Sequence, residues 1–310
     1  MSFLEELKIR EIKYPQKSPE WLKARKSLIT ASNASLLLPR TKRLIECYSI
    51  YSTIEELVDP KVMCDPFGDN YTFYSKKVSK GDPFIGSKAT IFGEKYEDVI
   101  LEYYKVTKDK QIHDFSLIID SEFPFLGASP DGITSDGNLV EIKAPYSRKI
   151  IPGHVPLKYY IQVQIQLKVC NLNLCDYIES SFVEYTNIEE FSANTKCCDY
   201  RGVVIEQSYS GNEKKKFEFI YFFNEELDYT RINEFLDKFK DCNTLFNIAF
   251  FVMKTVNLVP IKKDQNFLEI ALPVLAEKAI ILEEIIQNPE LLETRYSRKL
   301  EFLDDSDEES

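Results

Sequence analysis

The chain has 310 residues, of which 44% are hydrophobic and 13% aromatic, and its formal net charge is −11. This length accommodates one large domain, or one domain with an extension, around a well-filled core. Seven cysteines without a CxxC pair, only two histidines and no GxSxG motif argue against a zinc site, a disulfide framework and a Ser-His-Asp hydrolase. Met1–Glu6 lacks the features of a signal peptide, and no apolar run approaches membrane-spanning length. We therefore expect an intracellular protein that has no membrane partner.

The charge is unevenly distributed along the chain. Residues 1–43 contain ten basic and four acidic residues, a net charge of +6, whereas residues 264–310 contain four basic and thirteen acidic residues, a net charge of −9. A basic front and an acidic back fit a nucleic-acid channel on one side, although an ordinary solvated surface gives the same pattern.

The first third of the chain contains two short helix starts and one long helix. Residues 1–17 are a basic lead-in, after which Ser18-Pro19 supplies an N-cap and a first helical residue. Thr30-Ala31-Ser32-Asn33 indicates a second helix start, and residues 40–85 read as irregular. The clearest helix covers residues 87–106, because apolar side chains recur there at helical spacing. Turns in the irregular region are predicted at Asp59-Pro60, Asp65-Pro66 and Gly81-Asp82-Pro83.

The rest of the chain predicts a mixture of strands and helices. Residues 159–169 are ambiguous, because alternation of apolar and glutamine residues indicates a strand, whereas a helix puts Tyr159, Gln162 and Gln166 on one polar stripe. Residues 225–257 and 266–299 read as helices, and the acidic residues 304–310 as a disordered tail. Strands are predicted at Phe115–Ile119, Phe125–Ala128, Asn138–Lys143, Cys175–Tyr185 and Phe217–Phe223.

Glu97 is an exception on the long predicted helix. At 100° per residue it falls between Leu101 and Tyr104, outside the polar arc. A carboxylate on a core-facing flank needs a pairing cation, a hydrogen bond or a metal ion, so Glu97 is a candidate site residue. A snorkelling or capped glutamate is the alternative.

A predicted hairpin brings two carboxylates and a lysine together. Ser129-Pro130-Asp131-Gly132 precedes the turn residues Asp136-Gly137-Asn138, and Glu141-Ile142-Lys143 follows on the second strand. Glu141 and Lys143 share one face of this strand, while Ile142 points into the core and leaves its carbonyl beside the site. Two carboxylates with a carbonyl suit Mg²⁺, and the lysine can stabilise charge on phosphorus, so the hairpin indicates phosphodiester cleavage. A surface hairpin with a solvent-exposed salt bridge is the alternative.

The motifs, taken together, resemble the lambda exonuclease family, the YqaJ-type viral recombinase branch of the PD-(D/E)xK nucleases. The resemblance runs from about residue 18 to 185 and rests on the order and spacing of several motifs. These motifs are Trp21, Arg25, Ile29-Thr30-Ala31-Ser32, Gly93-Glu94-Lys95-Tyr96-Glu97, Ser129-Pro130-Asp131-Gly132, Glu141-Ile142-Lys143 and Tyr159-Tyr160-Ile161-Gln162-Val163-Gln164.

The resemblance implies roles for the residues of the nuclease site. Asp131, Glu141 and the Ile142 carbonyl would hold Mg²⁺, with Glu97 coordinating or hydrogen-bonding near the attacking water and Lys143 as the catalytic lysine. Gln162, with Tyr159 behind it, would position the water and the lysine, which favours the helical interpretation of this segment. Mn²⁺ is expected to substitute for Mg²⁺, because oxygen-rich sites accept both ions.

The resemblance also implies a pocket for the 5′-phosphate of a DNA strand. Arg25 and Ser32, with Thr30 beside them, would grip the terminal phosphate, since an arginine fork matches a phosphate in bidentate geometry. Ser129 and Trp21 would support the two parts of the site, Trp21 by stacking or packing near the end of the strand.

The implied fold is an α/β (α+β) restriction-endonuclease-like core, a central mixed sheet flanked by helices. We expect a nuclease domain over residues 1–225, a helical C-terminal extension over 226–303 packed on the core, and the acidic tail. The implied activity is Mg²⁺-dependent hydrolysis of double-stranded DNA from its 5′ end, in viral recombination or repair, at a viral replication site or in the host cytoplasm.

Partners and alternatives also follow from the resemblance. Double-stranded DNA ends are the expected substrate, a single-strand annealing protein is an expected partner, and the family suggests a homotrimer. The alternatives are a structure-specific endonuclease of the same fold and a nuclease-fold DNA-binding or accessory protein that does not cut.

Overall fold

The computed structural model describes residues 1–15, 18–39, 41–48, 70–78, 87–196, 200–210, 215–223, 227–240 and 244–295. The turns predicted between residues 59 and 83 and the acidic tail at 304–310 lie outside these ranges. The helices span Phe3–Arg10, Pro19–Lys26, Ala31–Ala34, Lys42–Tyr48, Tyr71–Val78, Lys88–Lys108, Leu157–Val169, Ile188–Asn194, Tyr229–Asp237 and Gln265–Gln287. Among the described helices, none has the length and apolar composition needed to cross a membrane.

Within the described residues the strands form two sheets. The strands are β1 (Glu11–Ile12), β2 (Ile29–Thr30), β3 (Ile112–His113), β4 (Leu117–Ile119), β5 (Leu126–Ala128), β6 (Gly132–Thr134), β7 (Asn138–Lys143), β8 (Leu174–Tyr185), β9 (Arg201–Ser210), β10 (Lys215–Phe223) and β11 (Leu245–Lys262). The smaller sheet has the order β1-β4-β5-β2, and the larger has the order β10-β9-β11-β8-β7-β6-β3. Pairs β2–β5 and β7–β8 are parallel and the other neighbours are antiparallel. The predicted α+β class, a central mixed sheet flanked by helices, is therefore confirmed.

The helix starts follow from local sequence. The Ser18 hydroxyl accepts a hydrogen bond from the Trp21 N–H and Pro19 occupies the first helical position, as predicted. The long helix Lys88–Lys108 is capped in the same way by Ser87 and ends at Asp109, whose φ of 50° is left-handed.

One crossover connection places the site. Strand β7 leads into the helix Leu157–Val169, called the glutamine helix below, which returns the chain to β8 parallel to β7. Val140 and Ile142 of β7 pack on the long helix side, in a cluster with Tyr96. Leu139 packs on the other side with the core that includes the glutamine helix. The face of β7 that carries Glu141 and Lys143 therefore meets the glutamine helix, and the helical interpretation of residues 159–169 is confirmed.

Two parts of the secondary-structure prediction are wrong. Residues 245–257 belong to β11, which lies between β8 and β9, so the segment 226–303 is not wholly helical. A strand covered on both sheet faces reads as a continuous apolar run, which periodicity does not separate from a buried helix. Helices at Phe3–Arg10 and Tyr71–Val78 lie in stretches predicted as a lead-in and as irregular. The domain limits themselves stay predictions.

Candidate active site

The hairpin predicted from the sequence forms the centre of the site. Strands β6 and β7 pair antiparallel, with Gly132 opposite Val140, and Gly137 adopts the left-handed φ of 90° that the turn requires. Asp131 immediately precedes β6, and its Oδ2 accepts a hydrogen bond of 2.6 Å from the Ile142 N–H. Asp131 is thus fixed beside the strand that carries Glu141 and Lys143.

Glu141 is fully buried and held by three donors. Gln162 Nε2 donates to its Oε1 at 2.5 Å, and Gln166 Nε2 donates to its Oε2 at 2.7 Å. Lys143 Nζ also donates to Oε1. These contacts satisfy the hydrogen-bonding requirement of a carboxylate inside the protein. Both glutamines come from the polar stripe predicted for the glutamine helix, one turn apart.

Lys143 lies between two of the oxygen atoms predicted as metal ligands. Its Nζ donates to the Ile142 carbonyl at 2.9 Å as well as to Glu141, and it lies 5.2 Å from the centre of the Tyr159 ring. Burial lowers the pKa of the Lys143 ammonium, but the Glu141 and Asp131 carboxylates outweigh burial and raise this pKa above its ordinary value. Lys143 is therefore a charged ammonium at neutral pH.

The surroundings of Asp131 disfavour the ionised form of its carboxyl. Burial, and next the charge of Glu141, raises the pKa of the Asp131 carboxyl well above its usual range, with Glu97 adding to the effect and Lys143 opposing it. Glu97 therefore lies within electrostatic reach of Asp131. Its side chain is exposed, however, so the prediction that it faces the core is wrong. The helix flank that carries Glu97 borders an open cleft instead of packed side chains.

The donor set fits a hard divalent cation. Asp131, Glu141 and the Ile142 carbonyl supply two carboxylates and one backbone oxygen, and an ammonium already contacts two of the three groups. Mg²⁺ characteristically takes one or two protein carboxylates and completes its shell with water and phosphate oxygens. Within the described residues, no group of three His, Cys, Asp or Glu side chains is arranged to hold a metal ion, so an all-protein cage is not what this site offers.

A cleft of about 400 Å³ opens beside these residues. One wall comes from the long helix and carries small residues, among them Gly93. The other wall carries basic and aromatic side chains, among them Arg148, Lys158 and Tyr159. Arg148 is fixed by an ion pair with the buried Glu179, which also accepts from the Tyr177 hydroxyl at 2.8 Å. The cleft is therefore positively lined on the side where Lys143 enters it.

A second group of predicted residues forms a pocket around Arg25, called the arginine pocket below. The Arg25 guanidinium lies 4.1 Å from the centre of the Trp21 ring and donates to the Thr30 and Ser32 hydroxyls, each at 3.3 Å. The two hydroxyl oxygens are 3.3 Å apart. Burial lowers the pKa of the Arg25 guanidinium to about 10. Trp21 packs in a small core with Leu28, as well as stacking on Arg25.

The chain links the arginine pocket to the hairpin. Thr30 lies opposite Gly127 in the parallel pair of β2 and β5, and β5 runs directly into Ser129 and Asp131. The buried Ser129 hydroxyl has no hydrogen-bond partner among the described residues. A buried hydroxyl without a partner, two residues before Asp131, is consistent with a polar ligand there.

Three side chains near the site were not singled out from the sequence. Gln166 belongs to the predicted stripe but had no assigned role, and only the fold brings its amide to Glu141. Arg148 and Glu179 lie far apart along the chain, so no local spacing indicates their ion pair. The sequence signal that could have pointed to Gln166 is the glutamine repeat at positions 162, 164 and 166.

Comparisons with known proteins place the matched segment in a family. Residues 20–173 match the family described as the YqaJ-like viral recombinase domain. An uncharacterized protein of Acanthamoeba polyphaga mimivirus is 29% identical over 195 residues, which are 57% of this chain and 31% of that protein. The chain thus spans about a third of the length of this relative.

Solved structures of exonucleases also match. LHK-Exo in complex with dAMP, from Laribacter hongkongensis, is 16% identical, covering 91% of this chain and 99% of that chain with a TM-score of 0.46. A phage-related exonuclease from Haemophilus somnus 129PT is 13% identical, covering 84% of this chain and 95% of that chain with a TM-score of 0.45.

The family match covers the residues that the sequence predicted for the site. The arginine pocket, the hairpin and the glutamine helix all lie between residues 20 and 173. The resemblance that the motifs predicted is confirmed, and residues 20–173 of this chain belong to the family of YqaJ-like viral recombinase domains.

Proposed function

We propose that this protein is a Mg²⁺-dependent exonuclease that hydrolyses double-stranded DNA from the 5′ end during viral recombination or repair. The family match supports a nuclease. The observation that carries the proposal is the arrangement of Asp131, Glu141 and Lys143 at the edge of an open cleft, where the Lys143 ammonium donates to the buried Glu141 carboxylate and the Ile142 N–H holds Asp131 beside them.

Each residue has a defined part in the proposed reaction. Asp131, Glu141 and the Ile142 carbonyl would hold Mg²⁺, which when bound activates water and neutralises charge on the phosphate. Gln162 and Gln166 keep the Glu141 carboxylate oriented through both of its oxygens. The Lys143 ammonium donates to the phosphate oxygens, where negative charge grows during attack, and the Tyr159 ring limits its movement. Glu97, at the cleft, would hydrogen-bond the attacking water.

The arginine pocket supports action at a 5′ end. Arg25 presents a guanidinium held by stacking on Trp21, with two hydroxyl groups 3.3 Å away. A guanidinium with adjacent hydroxyls matches the oxygen atoms of a terminal phosphate monoester. Anchoring that phosphate would fix which phosphodiester reaches the hairpin. In this proposal the pocket therefore sets the direction in which the DNA strand is digested.

The experiment uses linear duplex DNA labelled at either the 5′ or the 3′ end, with and without a 5′-phosphate. We expect mononucleotides from phosphorylated 5′ ends in Mg²⁺ or Mn²⁺, no products in EDTA, and binding without cleavage in Ca²⁺. Internal fragments from closed circular DNA would overturn the exonuclease in favour of an endonuclease. DNA binding without cleavage under all of these metal conditions would favour an accessory protein.

The proposed assembly state is a homotrimer that encloses DNA, and the proposed partner is a single-strand annealing protein. Both proposals come from family membership. The trimer is tested by measuring the mass of the purified chain by light scattering, alone and with duplex DNA. A monomer under both conditions would contradict the trimer without affecting the nuclease site.

A further inference from the structure

Lys77 is a buried lysine that contacts the loop carrying the arginine pocket. It lies on the helix Tyr71–Val78, its residue is 8% exposed, and it is distant in sequence from the motifs that define the site. Its Nζ donates to the Arg25 carbonyl at 2.7 Å and to the Leu28 carbonyl at 2.5 Å. These carbonyls lie at the end of the helix Pro19–Lys26 and in the turn before β2.

The contacts of Lys77 fix the geometry of Arg25. The turn between Arg25 and Thr30 must hold a guanidinium against two hydroxyl groups that come from the next strand and helix. A single ammonium that binds two carbonyls of this turn prevents it from opening. Lys77 also lies 5.2 Å from the centre of the Phe73 ring, which packs one turn before it on the same helix.

Two cationic side chains lie close together at the pocket, the half-buried Arg25 and the buried Lys77. Within the described ranges, neither Arg25 nor Lys77 forms an ion pair with a carboxylate. Burial, and next the charge of Arg25, lowers the pKa of the Lys77 ammonium to about 7. Two neighbouring cations that are shielded from water without an acid are costly, and a bound anion offsets that cost.

We propose that Lys77 positions the turn of the arginine pocket and places a second cationic side chain behind it, which makes the pocket select a doubly charged terminal phosphate over an unphosphorylated end. This inference rests on the proposed function, since it names the end chemistry that the same site accepts. A terminal phosphate monoester carries up to two negative charges, whereas a 5′-hydroxyl end carries none. Lys77 is a positioning residue, because its ammonium binds the Arg25 and Leu28 carbonyls and acts on the pocket through this backbone.

The test measures binding in EDTA, so that no cleavage is needed. Fluorescence anisotropy compares short duplexes that differ only in a 5′-phosphate or a 5′-hydroxyl. We expect wild type to prefer the phosphorylated duplex and Lys77→Met to lose about 10-fold or more of that preference, the loss typical of one charged contact. Lys76→Met is the matched control, because Lys76 is exposed on the same helix, and it should keep the preference.

Two more variants separate charge from folding. Lys77→Arg keeps a cation and Lys77→Gln keeps a donor without charge, so we expect the preference to survive in the first and to fall in the second. Equal preference in the arginine and glutamine variants, or an unchanged preference in a folded Lys77→Met, would overturn the role of Lys77. A wild type without any preference would overturn the terminal-phosphate assignment itself, and this inference with it, while metal-dependent cleavage is measured separately.

Discussion

At the scale of residues, the site depends on how the buried Glu141 carboxylate is oriented. Glu141 has no exposed surface, and its two oxygens are held by different glutamines of one helix. Side chains that orient a metal ligand in this way commonly matter nearly as much as the ligand. The third glutamine, Gln164, faces the opposite side, where it donates to the Lys262 carbonyl and accepts from the Asp264 N–H.

Gln166, which contacts Glu141, and Gln164, which faces away from it, make a matched pair of substitutions. We expect Gln166→Ala to lower cleavage about 10-fold or more and to raise the Mg²⁺ concentration needed for half-maximal rate, because Glu141 loses one donor. Gln164→Ala should lower the free energy of unfolding, since two backbone contacts are lost, but leave the Mg²⁺ dependence unchanged. Titration of the rate with Mg²⁺ and thermal unfolding of both variants measure this difference. The same Mg²⁺ dependence in both variants would contradict it.

The residues predictable from the sequence were those fixed by short-range geometry. Strand alternation was enough to place Glu141 and Lys143 on one face and Ile142 on the other. Helical periodicity was enough to align Gln162 with Gln166. The role of Gln166 was not predictable, because its partner lies across the crossover from β7. Glu97 was misplaced because helical angle alone does not distinguish a packed flank from one bordering a cleft.

At the scale of elements, the long helix contributes a wall of the cleft. Gly93 lies in the interior of this helix, where glycine is less favourable than alanine by about 1 kcal/mol. A Cβ at this position would meet no atom within 4 Å, so packing does not explain the glycine. The open space belongs to the cleft, where a substrate strand can approach the helix backbone closely.

Substitution of Gly93 should separate stability from activity. We expect Gly93→Leu to raise the free energy of unfolding by about 0.5–1 kcal/mol through helix propensity. Its side chain fills part of the cleft, so kcat/KM for DNA cleavage should fall. Gly93→Ala is the control, with a similar gain in stability and a smaller loss of activity. Full activity in Gly93→Leu would show that substrate does not pass this face of the helix.

Element prediction succeeded where periodicity and capping agreed, and failed where burial on both sides removed the pattern. The long helix has a capping serine and an amphipathic face, and its predicted extent of 87–106 is close to the observed Lys88–Lys108. Strand β11 has buried side chains at consecutive positions 249–253, which erases strand alternation. Its register shift between Met253 and Val256 disturbs the pattern further.

At the scale of the whole molecule, β11 ties the C-terminal part of the chain into the larger sheet. It pairs with β8 on one side and β9 on the other. Its buried side chains include Phe251, Val252 and Ile261, and full burial of each contributes about 1.5–3 kcal/mol. The predicted nuclease domain over residues 1–225 lacks this strand.

A fragment of residues 1–225 therefore tests the predicted domain division. We expect it not to unfold cooperatively and to be digested rapidly by protease, because β8 and β9 lose their shared neighbour. The full chain under the same conditions is the control. Circular dichroism during heating and limited proteolysis measure the difference, and a cooperative transition in the fragment would restore the predicted boundary at residue 225.

The central claim is that Asp131, Glu141 and Lys143 form a metal-dependent site for phosphodiester hydrolysis. The most direct measurement compares wild type with Lys143→Ala on 5′-phosphorylated duplex DNA in Mg²⁺, with DNA affinity measured in Ca²⁺. We predict that the variant keeps its DNA affinity and stays folded, because Gln162 and Gln166 still hold the Glu141 carboxylate, but loses cleavage. Cleavage by Lys143→Ala at the wild-type rate would contradict the account.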